Sequence, residues 1–197
     1  MKNRTQYIIL GLIICIFTFS VITLNNNSNQ DIIATNGEIL SNKKIGWGLK
    51  RAKDHQTPDL GSENLRLLEN NNGVGIGDTN SNKVYLTFDE GYEAGYTEQI
   101  LDTLKNNNVQ ATFFITAHYV NSQPELVQKM IDEGHIIGNH TVNHKSMPDL
   151  TDEKIRTEIM DLHTAIYEKF GYEMQYIRPP MGEFSERTLG LINSLRI

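Results

Sequence analysis

The sequence predicts an α/β fold, a parallel sheet covered by helices, behind an N-terminal single transmembrane or signal segment. Three observations predict it: strand and helix periodicities alternate four times after residue 83, polar residues gather at the strand ends, and residues 7–24 (YIILGLIICIFTFSVITL) form an 18-residue run without a charge. The bulk numbers set the limits. In 197 residues, 18 Lys and Arg face 24 Asp and Glu, for a net charge of -6, and 39% of residues are hydrophobic. That balance excludes a strongly basic nucleic-acid binder and a polytopic membrane protein, so no nucleic-acid partner is expected.

The apolar run follows Lys2 and Arg4. At about 1.5 Å per residue it just crosses a bilayer core of roughly 30 Å. It is read as a signal anchor or signal peptide over residues 1–24. Leu24 is followed by Asn25, Asn26 and Asn27 rather than the small residues of a cleavage site, which favours an uncleaved anchor with its positive end in the cytoplasm. The expected location is therefore the cell membrane with the remainder outside the cytoplasm, or secretion if the signal is cut. Cys15, the only cysteine, lies within the run and reads as a small apolar residue, so the exported part must do without internal disulfides.

Residues 25–44 are rich in Asn and Ser, with apolar residues too sparse to set a period, and read as a flexible tether. Residues 45–82 contain the only tryptophan, Trp47, and a short helical pattern in Leu65, Leu67 and Leu68 that ends in asparagines and Gly73. They are expected to be an ordered N-terminal extension packed on the domain that begins at residue 83.

From there the elements follow in order. Residues 83–88 (KVYLTF) are a strand, followed by a helix carrying Ile100, Leu101 and Leu104. Residues 111–117 (ATFFITA) are a buried strand. The next helix starts near Pro124, carries Leu126, Val127, Met130 and Ile131, and stops at Gly134, with the proline and glycine at the boundaries they favour. Residues 135–138 are a third strand. Ile155, Ile159, Leu162 and Ile166 stripe a third helix closed by Gly171, Tyr176 and Ile177 lie on a fourth strand, and Ser185 caps a helix containing Leu189, Leu191, Ile192 and Leu195.

A parallel sheet places its chemistry at the C-terminal ends of its strands. Strand one ends in Asp89, Glu90 and Gly91; strand three runs into Asn139, His140, Thr141, Val142, Asn143 and His144; strand four runs into Arg178, Pro179, Pro180, Met181 and Gly182. If the strands are neighbours, two carboxylates, two histidines and one arginine converge. Carboxylate oxygen and imidazole nitrogen suit a divalent metal such as zinc, and three protein ligands with an open position make a catalytic site. With Glu90, His140 and His144 as ligands, Asp89 is free to act as base and Arg178 to keep it ionised. Each piece also has an ordinary reading: two histidines sharing a helix face, a solvated Asp-Glu-Gly turn, a rigid proline exit from a strand. Their meeting on one edge favours the metal site.

Thr87-Phe88-Asp89-Glu90-Gly91, His140-Thr141-Val142-Asn143-His144 and Arg178-Pro179-Pro180-Met181-Gly182 resemble, in order and spacing, the first three motifs of the polysaccharide deacetylase family (NodB homology, carbohydrate esterase family 4). Glu90 stands where that family most often has a second aspartate. Gly46-Trp47-Gly48-Leu49, His55, Pro58, Gly77-Asp78-Thr79, the stretch 91–97 (GYEAGYT) and Ser185-Glu186-Arg187-Thr188-Leu189 look like the branch that removes acetyl from N-acetylmuramic acid in forming the muramic delta-lactam of spore cortex.

The resemblance implies a partial (β/α) barrel over residues 83–197 and a metal-dependent amidase acting on peptidoglycan glycan strands. In that reading backbone N–H groups of the Tyr92 loop hold the oxyanion, and Tyr92, His118 and Pro180 lie on the sugar side of the site, although His118 is equally readable as an exposed loop histidine. His55, His135 and His163 are read as structural. The family's later motifs, including a Leu-x-His that supplies a general acid, have no counterpart before Ile197. The expectation is a shortened family member of weak or no activity unless a second chain completes it. A membrane-tethered module that binds glycan without cleaving it, or an inactive fragment, is the alternative.

Overall fold

The computed structural model describes residues 32–33, 39–54 and 56–195. Its elements, in chain order, are β1 (Ile32–Ile33), β2 (Ile39–Leu40), β3 (Ile45–Gly46), α1 (Ser62–Asn70), β4 (Thr87–Glu90), α2 (Thr97–Asn106), β5 (Thr112–Ile115), α3 (Ala117–Ser122), α4 (Pro124–Asp132), β6 (Ile136–Asn139), α5 (Asp152–Phe170), β7 (Glu183–Phe184) and α6 (Glu186–Leu195). Strands β4, β5 and β6 form a parallel sheet in that order, with Glu90, Ile115 and Asn139 in one row. Asn139 bridges on to Ile177. Consecutive motif segments thus lie side by side, and the residues just past the row, Gly91, Thr116, His140 and Arg178, make up one C-terminal edge.

Local chemistry accounts for the boundaries. Pro124 opens α4, Gly171 closes α5 with φ at 65°, and Thr188 N–H donates to Ser185 Oγ at 3.2 Å to start α6. The main core joins Phe113, Ile115 and Ile137 of the sheet to Leu101 and Leu104 of α2, Val127 and Met130 of α4, and Leu162 and Ile166 of α5. Each such side chain, buried, contributes about 1.5–3 kcal/mol. A second cluster of Met147, Ile155, Ile159 and Leu191 ties α5 to α6.

The elements depart from expectation in four places. Regular strand begins at Thr87 rather than at residue 83, leaving Val84 and Tyr85 exposed; among the described residues β4 has a ladder partner only on its β5 side. The fourth strand is one bridge long, because Pro179 and Pro180 have no N–H to continue a ladder and Met181 turns the chain with φ at 59°. Helix α3 is additional: Thr116 Oγ1 accepts the N–H of Tyr119 at 3.3 Å, which ends β5 early and turns the chain.

The fourth departure is at the tether boundary. Residues 41–44 are docked on the body of the fold. The Asn42 amide donates to the Pro148 carbonyl at 3.0 Å and accepts from Arg187 Nε at 2.9 Å, and Lys44 pairs with Asp149 and Glu183. The Asn and Ser side chains that make the segment look like a linker are what dock it. The extension that follows is anchored by β3 pairing antiparallel with β7, by Trp47 N–H donating to the Gly182 carbonyl at 2.6 Å, and by burial of Leu60 and Leu67. No helix among the described residues is long and apolar enough to cross a membrane; residues 7–24 and Cys15 lie outside the described residues.

Candidate active site

Alternation along β4 puts Thr87 and Asp89 on one face and Phe88 and Glu90 on the other. Phe88 stacks on Phe113 in the core, ring centroids 4.9 Å apart. On the opposite face Arg178 Nη1 donates to Asp89 Oδ1 at 2.6 Å and Nη2 donates to Thr87 Oγ1 at 3.0 Å. The guanidinium lies 4.1 Å above the Phe114 ring. A half-exposed ion pair by itself contributes little stability. Two directed bonds and a ring under the guanidinium instead fix where the Asp89 carboxylate points.

His140 is buried at the same edge. Its Nδ1 lies 2.8 Å from the Arg178 carbonyl. A carbonyl only accepts, so Nδ1 carries the proton and Nε2 a lone pair. That Nε2 is 3.1 Å from Nε2 of His144 and 3.8 Å from Asp89 Oδ2. Burial, above all, holds the His140 pKa below its ordinary value, against the Arg178 carbonyl and the Asp89 charge. The neutral imidazole this favours is the form that ligates a metal.

The segment between the histidines is a loop, not a helix, and two of its residues have left-handed backbone, Thr141 (φ 70°) and His144 (φ 54°). Such conformations are costly for non-glycine residues and persist where the surroundings impose them. Thr141 N–H donates to Asn139 Oδ1 at 2.9 Å, His144 N–H to Thr141 Oγ1 at 3.0 Å, and Asn143 to the Glu158 carboxylate.

This donor set suits a divalent cation: two imidazole Nε2 atoms converge, one has its tautomer set by a carbonyl behind it, and a carboxylate stands nearby. Among the described residues no group of three His, Cys, Asp or Glu side chains is already drawn together to hold an ion. Asp89 is the carboxylate beside His140. Glu90 is half-buried on the other face of β4, where burial, then the charges of Glu93 and Asp89, push its carboxyl above the usual range.

The remaining expected residues are spread along the edge. Tyr92 is exposed, His118 is exposed on α3, and Pro180 is buried at the start of the turn that carries the chain away from Arg178. His135 is buried at the far end of β6, accepting the Ala111 N–H at Nδ1 and meeting the Phe113 ring edge-on. His163 lies on α5, and His55 is outside the described residues.

Sequence reasoning named Thr87 and Asn139 only as members of their segments, without a role, and did not single out Phe114, Glu93 or Glu158. Glu93 accepts the N–H groups of Tyr96 and Thr97 and the Tyr119 hydroxyl, bracing the loop that carries Tyr92. Glu158 had a readable signal: it is a carboxylate inside the apolar stripe of Ile155, Ile159 and Leu162.

Comparison with known proteins shows the family. Residues 76–197 match a family model described as polysaccharide deacetylase. The peptidoglycan-N-acetylmuramic acid deacetylase PdaA of Bacillus subtilis (strain 168) is 43% identical over 157 residues, 79% of this chain and 60% of that protein. The solved structure of Bacillus subtilis PdaA, a family 4 carbohydrate esterase, aligns with a TM-score of 0.77 at 41% identity, covering 80% of this chain and 68% of that one. A family 4 carbohydrate esterase from Bacillus anthracis aligns with a TM-score of 0.74 at 43% identity, covering 81% and 72%. A peptidoglycan-N-acetylglucosamine deacetylase of Bacillus cereus is 38% identical over 113 residues, 57% of this chain and 41% of that protein. The chain spans about three fifths of the length of the first two curated relatives it matches. The family match takes in Asp89, His140, His144 and Arg178, whose segments the sheet brings to one edge, and the chain belongs to the polysaccharide deacetylase family, carbohydrate esterase family 4.

Proposed function

We propose that this chain carries the site for metal-dependent removal of acetyl groups from peptidoglycan, with N-acetylmuramic acid as the sugar and formation of the spore-cortex delta-lactam as the setting. The observation that carries the reading is Asp89, aimed by Arg178 at a pair of histidines whose Nε2 atoms converge. His140 and His144 would hold the metal, zinc by its donor chemistry; Glu90, the third ligand assigned from the sequence, lies on the other face of β4 and would have to reach around the strand end to join them. A divalent metal bound there supplies a Lewis acid for the amide carbonyl and lowers the pKa of a water.

The chain's own residues do the rest. Asp89 takes the proton from the attacking water. Arg178 holds Asp89 oriented. Backbone N–H groups of the Tyr92 loop hold the oxyanion, and Tyr92 and His118 line the sugar side, with the buried Pro180 shaping the turn that follows Arg178. The muramic acid preference is supported by the likeness to PdaA; the Bacillus cereus relative, named for N-acetylglucosamine, is the competing sugar. Residues 7–24 would tether the domain on the outer side of the cell membrane, where peptidoglycan lies.

The test is acetate release from N-acetylated glycan strands with added zinc, alongside zinc titration. D89N should keep zinc and lose activity by about 10²- to 10⁴-fold, whereas E90Q should lose zinc affinity. E90Q with unchanged zinc affinity would remove Glu90 from the ligand set. Glycan retention without acetate release would favour the second reading, a glycan-binding module, to which the exposed Tyr92 and Tyr96 at this edge lend support.

A further inference from the structure

We propose that Glu158 is a positioning residue for the two histidines, holding their loop in the one shape that brings both Nε2 atoms together; this rests on the metal-site reading above. Glu158 is 7% exposed on the inward face of α5. Its Oε2 accepts the backbone N–H of Asn143 at 2.7 Å and its Oε1 accepts the Asn143 side-chain amide at 2.7 Å. Its own carbonyl accepts the N–H of Val142 at 3.0 Å. The next carbonyl on the helix, of Ile159, accepts the Asn139 amide at 2.9 Å, and Asn139 in turn holds Thr141.

One turn of α5 therefore grips the loop at Asn139, Val142 and Asn143, on both sides of His140 and just before His144. No basic side chain among the described residues lies within ion-pairing distance of Glu158. A carboxylate placed among apolar neighbours and satisfied only by uncharged donors adds little to stability. It does impose geometry, because both its oxygens are committed to one residue. The left-handed backbone at Thr141 and His144 is what such an outside grip has to impose.

A glutamine at 158 keeps the size but turns one acceptor into a donor that faces a donor, so one of the two bonds must break. The experiment is zinc affinity of the full 197-residue chain, wild type against E158Q, by competition with a chromophoric chelator. Thermal midpoints of the metal-free proteins and the visible spectrum of the cobalt-loaded proteins are read in parallel. The expected result is a loss of zinc affinity of about 10- to 100-fold, the range seen when a group supporting a metal ligand is removed, with an altered cobalt spectrum and a folded metal-free protein.

Equal zinc affinity in wild type and E158Q overturns the proposal, whatever happens to the thermal midpoint. A wild type that takes up no zinc overturns both the metal reading and this one. If E158Q does not fold, N143A carries the test. It removes only the side-chain bond and should weaken zinc severalfold, up to about tenfold; an unchanged affinity again overturns the proposal.

Discussion

Gly138 lies on β6 opposite Phe114 of β5, and a methyl group there would collide with the aromatic ring. A Cβ at 138 would sit 3.2 Å from Phe114 Cγ, with Cδ1 and Cε1 closer still. The Phe114 ring is nearly buried and carries the Arg178 guanidinium 4.1 Å from its centre. G138A should therefore push the ring, and the ring should displace the arginine that aims Asp89. Overpacking costs about 1–3 kcal/mol, and the lost stacking about 0.5–1 kcal/mol more. Replacing glycine returns about 0.4–1 kcal/mol through the unfolded chain. The net destabilisation is about 1–3 kcal/mol. At about 2–4 °C per kcal/mol, that lowers the melting temperature by about 2–12 °C. A double-mutant cycle with F114L checks the cause, since a smaller side chain at 114 relieves the clash and should give a coupling of about 0.5–2 kcal/mol. A melting temperature within about 1 °C of wild type, or strictly additive effects in the cycle, would refute the reasoning.

Two further outcomes are expected. Burial favours protonation of Glu93, but hydrogen bonds from Thr97, the Tyr119 hydroxyl and Gly95 outweigh it and hold its pKa down to about 2, against an ordinary 4.5. Because the folded value is the lower one, these bonds stabilise fully above the ordinary pKa and fade as pH falls toward the folded one. The gap in urea midpoint between wild type and E93Q should be constant near neutrality and shrink on acidification; a widening gap would count against it. R187A should destabilise by roughly 2–4 kcal/mol, because the nearly buried Arg187 joins Asp152, the Leu150 carbonyl and Asn42. Limited proteolysis should then cut first near residue 42, and cleavage confined to other sites would show that the N-terminal segment is held by something else.

What could be read from the sequence was what neighbouring residues decide. The apolar spacing of Leu101 and Leu104, or of Ile155, Ile159 and Leu162, marks helices whether or not the partner is known, and Pro124, Gly171 and Ser185 mark their ends through local backbone chemistry. The gathering of the motif residues at one edge was also legible, since parallel strands order their C-terminal ends. The shortness of the fourth strand is signalled by its two prolines, which have no N–H for a ladder. Helix α3 was hidden because residues 116–117 read equally well as strand. Residues 41–44 read as a linker because polar composition looks the same in a solvated linker and in a docked strap.

Taken alone, the sequence determined the donor chemistry: which carboxylates, imidazoles and guanidinium are present, and on which strand ends. It could not decide which of two adjacent carboxylates faces the histidines, because that depends on the phase of β4 against a sheet whose Arg178 comes 89 residues after Asp89. Nor could it show that α5 grips the histidine loop through Glu158. Periodicity is a property of neighbours along the chain, whereas the direction in which a side chain points is set by the elements packed against it. The tertiary structure placed Asp89 beside His140 and Glu90 on the opposite face of the strand.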